Sequence, residues 1–139
     1  MLKEGSVAPA IELLDQNGKK LSLKKYAKRK VLVYFYPKAD TPGCTKQACS
    51  LRDAFAILTE KGVKVFGVST DSPKSQKAFK EKYRLPFDLL ADEDSTIVKA
   101  FGVPTTMGFA KRQAFLFKDG ALVWVDLSAS TEQQAADVL

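Results

Sequence analysis

The chain of 139 residues contains no histidine. That absence removes the Cys-His nucleophile pair, the Ser-His triad and the imidazole metal sites at once. Cysteine is nearly absent too, with only Cys44 and Cys49. Two thiols cannot close a four-ligand zinc site, and haem attachment through C-x-x-C-H is excluded. Long apolar runs are also missing: residues 31–36 form one of the longest, far too short to span a bilayer. No secretory h-region follows Met1, because Lys3, Glu4 and Asp15 interrupt the N-terminus. The expected address is the cytoplasm, or an organelle for a processed form. If this chain does chemistry, its two cysteines are the leading candidates.

What is present is ordinary for a globular domain, and a chain of this length is expected to form one, over residues 1–139. The net charge of +6 comes from short clusters such as Lys28-Arg29-Lys30 rather than one block. Solvated lysines explain it better than a nucleic-acid face, so neither nucleic acid nor membrane is an expected partner.

Hydrophobic periodicity outlines the elements. Asn17-Gly18, between residues 11–14 and 20–23, marks an N-terminal β-hairpin, and Ser22 can cap a short turn to about Tyr26. Residues 31–36 read as a buried central strand ended by Pro37. Ala48, Leu51, Phe55 and Leu58 predict one helix over 43–61, stopped by Gly62. A strand over 63–69 follows, then a helix from Ser72-Pro73 to about Tyr83. A short strand at 87–90, a helix capped by Asp94-Ser95 and ended by Gly102, and a loop of about ten residues come next. Strands near 113–117 and 121–126 flank Lys118-Asp119-Gly120, and a last helical stretch begins at Thr131. In outline this is β-α-β-α-β-β-α with an extra N-terminal hairpin, which suits an α/β fold: a central mixed β-sheet flanked by helices.

Chemistry concentrates in residues 36–49, where the buried strand gives way to a helix. Active sites in open α/β sheets favour this carboxyl end of a strand. With Thr41 as N-cap, Pro42 is the first helical residue and Cys44 the third. Free N–H groups and the helix dipole favour an anion there, here a thiolate. Gly43 permits close approach of a substrate to the backbone, and the supporting cation must be Lys or Arg. Cys49 lies five residues on, which along a helix is a turn of about 500° and a rise of about 7.5 Å. The pair then exceeds the reach of a disulfide unless the first turns unwind. Two small core cysteines on a helix would be the bland account of C-x4-C alone, but the run from Pro37 through Thr41 to Cys44 after an apolar strand is far more specific.

That segment resembles the active site of the peroxiredoxins, in particular the peroxiredoxin Q or bacterioferritin comigratory protein branch. The Pro-x3-Thr-x2-Cys motif matches Pro37, Thr41 and Cys44, and the second cysteine of many members matches Cys49. The likeness extends to Tyr34-Phe35-Tyr36, Leu51-Arg52-Asp53, Gly67-Val68-Ser69-Thr70-Asp71 and Phe101-Gly102-Val103, and Arg112 matches the active-site arginine. The resemblance implies a thioredoxin-like fold and a thiol peroxidase acting on hydrogen peroxide and organic hydroperoxides. It assigns the peroxide-attacking thiolate to Cys44 and its charge-stabilising donors to Thr41 and Arg112. Pro37 would shield the sulfenic acid, and Cys49 would resolve it as an intramolecular disulfide. A thioredoxin-like reductant would reopen that bond in a monomer that needs no metal or other cofactor.

Ala10-Ile11, Lys118 and the end at Leu139 depart from the family pattern, none within the nominated set. Two other classes compete. A thiol–disulfide oxidoreductase acting on protein disulfides normally carries C-x-x-C, which the C-x4-C spacing opposes. A non-catalytic binding module would have no use for an activated thiol.

Overall fold

The computed structural model describes residues 12–22, 26, 30–106 and 108–126. The hairpin at Asn17-Gly18 forms as β1 (Glu12–Asp15) and β2 (Lys20–Ser22), with Gly18 at φ 74°. β3 (Lys30–Phe35) is the apolar run and is buried along almost its whole length. The chain continues through α1 (Pro42–Asp53), α2 (Phe55–Glu60), β4 (Val63–Ser69), α3 (Pro73–Tyr83), β5 (Asp88–Ala91) and α4 (Thr96–Phe101). The short β6 (Thr105–Thr106) and β7 (Phe109–Ala110) precede the closing hairpin of β8 (Gln113–Lys118) and β9 (Ala121–Asp126). This order includes β5 and α4, the strand predicted at 87–90 and the helix predicted to end at Gly102, which the outline β-α-β-α-β-β-α leaves out. No helix among the described residues is long and apolar enough to cross a membrane.

Seven strands form one mixed sheet in the order β2-β1-β5-β4-β3-β8-β9. β3, β4 and β5 run parallel, and the remaining pairs are antiparallel. Because side chains alternate along a strand, β3 feeds both faces. Leu32 and Tyr34 join Tyr36, just past its end, in a layer with Cys44, Ala48 and Leu51 of α1, Leu58 of α2 and Phe79 of α3. Val31, Val33 and Phe35 pack on the opposite side with Ile97, Val98 and Phe101 of α4. The predicted hairpin extension therefore belongs to the main sheet, joined through β1 and β5.

Local readings differ from the structure in three places. The helix expected over 43–61 breaks at Ala54 (φ −99°, ψ 8°), where no glycine or proline marks the interruption. The loop before residue 113 contains the β6–β7 hairpin, turned at Gly108 with φ 82°. Helix α4 is capped neither by Asp94 nor by the side chain of Ser95, which takes a left-handed φ of 57°. Instead the buried carboxylate of Asp92 accepts from the N–H groups of Ile97 (3.1 Å) and Val98 (2.9 Å). The turn expected after Ser22 and the helical stretch expected from Thr131 lie largely or wholly outside the described residues.

Gly67 of β4 is required by packing. A Cβ there would sit 2.7 Å from the Tyr34 hydroxyl oxygen and 2.8 Å from Leu89 Cδ2, both on fully buried side chains. Gly67→Ala is expected to lower unfolding free energy by about 1–3 kcal/mol, as overpacking of a close-packed core does. Urea denaturation of the two proteins measures the difference, and unchanged stability would mean that Tyr34 and Leu89 can yield.

Candidate active site

The site begins where β3 ends. Thr41 has the extended backbone of an N-cap (φ −100°, ψ 155°), and Pro42 occupies the first helical turn. The Thr45 N–H closes the first helical bond on the Thr41 carbonyl at 2.8 Å. Thr41 does not cap with its side chain: its hydroxyl donates to the Lys38 carbonyl at 2.8 Å. With its proton committed there, the Thr41 oxygen offers lone pairs to a hydrogen donor. Cys44 falls at the third helical position, as the spacing predicts, and only 1% of its surface is exposed.

The cation comes from the strand beside β3. Arg112 immediately precedes β8, the antiparallel neighbour of β3. Its Nη2 lies 3.4 Å from Cys44 Sγ, while Nη1 donates to Gln47 Oε1 at 2.7 Å. The two nitrogens thus bind a sulfur and an amide oxygen carried one helical turn apart on α1. A planar guanidinium suits this fork, whereas a lysine ammonium is a point charge. Gln47 is fully buried, and sequence reasoning missed it because a glutamine three residues after a cysteine reads as helix surface.

A buried polar chain fixes the loop between strand and helix. The Tyr36 hydroxyl donates to Gln76 Oε1, whose amide nitrogen donates to Ser69 Oγ at 3.0 Å and to the Leu90 carbonyl at 2.9 Å. The Ser69 hydroxyl donates to Asp71 Oδ2 at 2.6 Å, and the same oxygen accepts the Ala39 N–H at 2.8 Å. Burial holds the Tyr36 phenol well above its ordinary range, so it remains a donor. Pro37 follows Tyr36 directly and is half-buried at the start of this loop.

Next in the loop, Asp40 is held in a left-handed conformation with φ 58°. Its carboxylate accepts from Lys82 Nζ (2.9 Å) and from the Tyr83 hydroxyl (2.8 Å). Those hydrogen bonds, Lys82 first and Tyr83 second, keep its carboxyl below the usual carboxylate range. Arg52 pairs with Asp53 at 3.0 Å and donates to the Tyr83 carbonyl at 2.8 Å, a structural placement outside the thiol site.

Of the five nominated residues, Cys44 and Arg112 meet directly. Thr41 and Pro37 belong to the loop that starts the same helix. Cys49 lies farther along α1, half-buried, and both cysteines are free thiols. The site presents a buried sulfur against a guanidinium at a helix N-terminus, so its donors face the place where negative charge would develop. Among the described residues no group of three or more Cys, Asp or Glu side chains is placed to hold a metal ion. An open cleft of about 490 Å³ between the N-terminal hairpin and the turn after β5 is lined by none of the nominated residues.

Comparisons with known proteins agree with this geometry. The model of the AhpC/TSA family matches residues 5–125. The putative peroxiredoxin bcp of Coxiella burnetii is 48% identical over 102 residues, covering 73% of this chain and 68% of that protein. The chloroplastic peroxiredoxin Q of Suaeda salsa is 49% identical over 106 residues, 76% of this chain, and the chain spans about half the length of that relative. The crystal structure of peroxidoxin BcpB from Mycobacterium tuberculosis superposes with a TM-score of 0.91 at 33% identity, covering 99% of this chain and 94% of that one. The bacterioferritin comigratory protein of Xanthomonas campestris, studied for alkyl peroxide reduction, gives a TM-score of 0.89 at 28% identity over 97% of this chain and 94% of that one. The expected thioredoxin-like architecture is therefore present. With a family model spanning most of the chain and a buried thiol facing an arginine at a helix N-terminus, the chain belongs to the AhpC/TSA family, in the branch of peroxiredoxin Q and the bacterioferritin comigratory proteins.

Proposed function

We propose that this chain is a thiol-dependent peroxidase that reduces hydrogen peroxide and organic hydroperoxides. The observation that carries this reading is the 3.4 Å approach of Arg112 Nη2 to the buried Cys44 sulfur in the first turn of α1. The Cys44 thiolate attacks one peroxide oxygen and the O–O bond breaks. The displaced oxygen takes a proton and leaves as water or an alcohol, and Cys44 becomes a sulfenic acid. Arg112 stabilises the thiolate and the charge that grows on the leaving oxygen. The Thr41 hydroxyl accepts the peroxide O–H, because its own proton is held by Lys38. Pro37 screens the sulfenic acid from solvent.

Cys49 then attacks the oxidised sulfur, releasing water and forming the 44–49 disulfide, which a thioredoxin-like dithiol reductant exchanges back to two thiols. This scheme uses no metal and no other cofactor. It describes one thioredoxin-like domain acting as a monomer, in the cytoplasm or, like the plant relatives with chloroplastic names, in an organelle.

Both thiols lie on the single helix α1, so the disulfide requires the turns between them to melt. Oxidised protein is expected to exchange amide hydrogens faster across residues 42–50 than reduced protein. Cys49→Ser should retain the first reaction with peroxide but form no intramolecular disulfide, leaving Cys44 open to further oxidation. Mass spectrometry of peroxide-treated protein, beside hydrogen exchange of both redox states, tests the scheme. A bridge between two Cys44 residues of separate chains would overturn the one-chain resolution step.

A further inference from the structure

The helix that must unwind is fastened at both flanks to one residue of another helix. Before α1, the Asp40 carboxylate accepts the Tyr83 hydroxyl proton at 2.8 Å. Near the far end of α1, Arg52 Nη1 donates to the Tyr83 backbone carbonyl at 2.8 Å. Tyr83 closes α3 and is itself anchored: its ring meets Phe79 edge-on at 5.6 Å, and Phe79 lies 6.0 Å from the Tyr36 ring in the buried layer. Lys82 supports the first contact, with Nζ 2.9 Å from Asp40 Oδ2 and 5.2 Å from the Tyr83 ring centroid.

Resting on the disulfide cycle proposed above, we infer that Tyr83 is a positioning residue that grips both flanks of the redox helix, through Asp40 and Arg52, and thereby sets how readily the turns bearing Cys44 and Cys49 unwind. The physical reason is entropic. A melted segment held close to both of its ends samples fewer conformations than a longer one whose anchors lie farther out along the chain. Pinning both flanks therefore disfavours the unwound state and hastens return to the helix after reduction. Attack on peroxide needs the intact helix, whereas resolution needs the melted one. The latch biases the thiol toward the first state and lengthens the life of the sulfenic acid.

The test compares the parent with Tyr83→Phe and Asp40→Asn, which both release the Asp40 flank, leave the Arg52 contact to the Tyr83 backbone carbonyl in place, and alter neither thiol nor Arg112. Both variants should speed disulfide formation after a stoichiometric pulse of hydrogen peroxide by about two- to fivefold, the scale that exposed ion-paired contacts support. Amide exchange across 42–50 in the reduced protein should rise by the same factor, while exchange in β3 and β4 and the rate of the first reaction with peroxide stay at parental values. The sulfinic acid formed under excess peroxide should fall accordingly. Salt at about 1 M should reproduce the effect in the parent and add nothing in Asp40→Asn.

Unchanged exchange and resolution in both variants would overturn the latch, as would a rise in exchange shared equally by β3 and β4, which marks general destabilisation. If the parent itself forms no 44–49 disulfide, the cycle fails independently. The exchange of residues 42–50 in the reduced variants still decides whether Tyr83 restrains the helix.

Discussion

Cys44→Ser is expected to abolish peroxide turnover. A serine hydroxyl stays protonated near neutral pH, so Arg112 and the helix N-terminus have no anion to stabilise at that position. The exchange of sulfur for oxygen is small, and the site of burial beside Ala48 and Leu51 is otherwise unaltered. Loss of activity should therefore occur without loss of fold. Peroxide consumption with dithiothreitol or a thioredoxin system as reductant, paired with circular dichroism of the purified variant, gives the answer. A rate above about a tenth of the parental value would remove Cys44 from the role of nucleophile.

Arg112→Ala carries the second large effect, a fall of about 10² or more in the second-order rate with peroxide, as loss of a preorganised charge-stabilising donor typically causes. The side chain serves two acceptors at once, Cys44 Sγ and Gln47 Oε1. Arg112→Lys should therefore fall between parent and alanine, because an ammonium restores charge but not the fork. Thr41→Val removes the hydroxyl oxygen at the helix start and is expected to act on the same step by a similar factor. Rapid-quench measurement of Cys44 oxidation isolates this step from recycling. Rates within about threefold of the parent would exclude both residues from the peroxide site.

The features that could be read from sequence are those set by neighbours along the chain. Pro42 after Thr41 marks the start of α1, and Ser72 before Pro73 marks α3, where Ser72 Oγ accepts the Ser75 N–H. The two-sided burial of β3 followed from its unbroken apolar run, and the turn at Lys118-Asp119-Gly120 from its Asp-Gly pair, which the structure holds at positive φ, 51° and 81°. Cys44, Thr41, Pro37, Cys49 and Arg112 were nominated from motif and resemblance, and the structure adds the contact between Cys44 and Arg112.

What escaped the sequence is long-range. Gln47 and Gln76 look like surface residues on amphipathic helices until the fold buries them against Arg112 and Tyr36. Asp40 finds its partners 42 and 43 residues away, with no local pattern announcing them. The break at Ala54 interrupts a hydrophobic period that continues through it, so periodicity alone reads one helix.

The N-terminal hairpin has a consequence for how copies of this chain meet. Strand β5 carries the buried residues Leu89, Leu90 and Ala91, and its outer edge would otherwise present unpaired amides to another chain. β1 covers that edge through only two residue pairs, Leu14 with Ala91 and Asp15 with Leu90. Gln16 extends the cover with its side chain, whose Oε1 accepts the Leu89 N–H at 3.0 Å. The rim thereby passes to β2, three residues long and opened by Lys20, while at the opposite rim the pairing of β9 with β8 is irregular beside Leu116 and Phe117. Short, charged or bulged rims are poor templates for strand addition, so the described sheet resists growing from one molecule into the next.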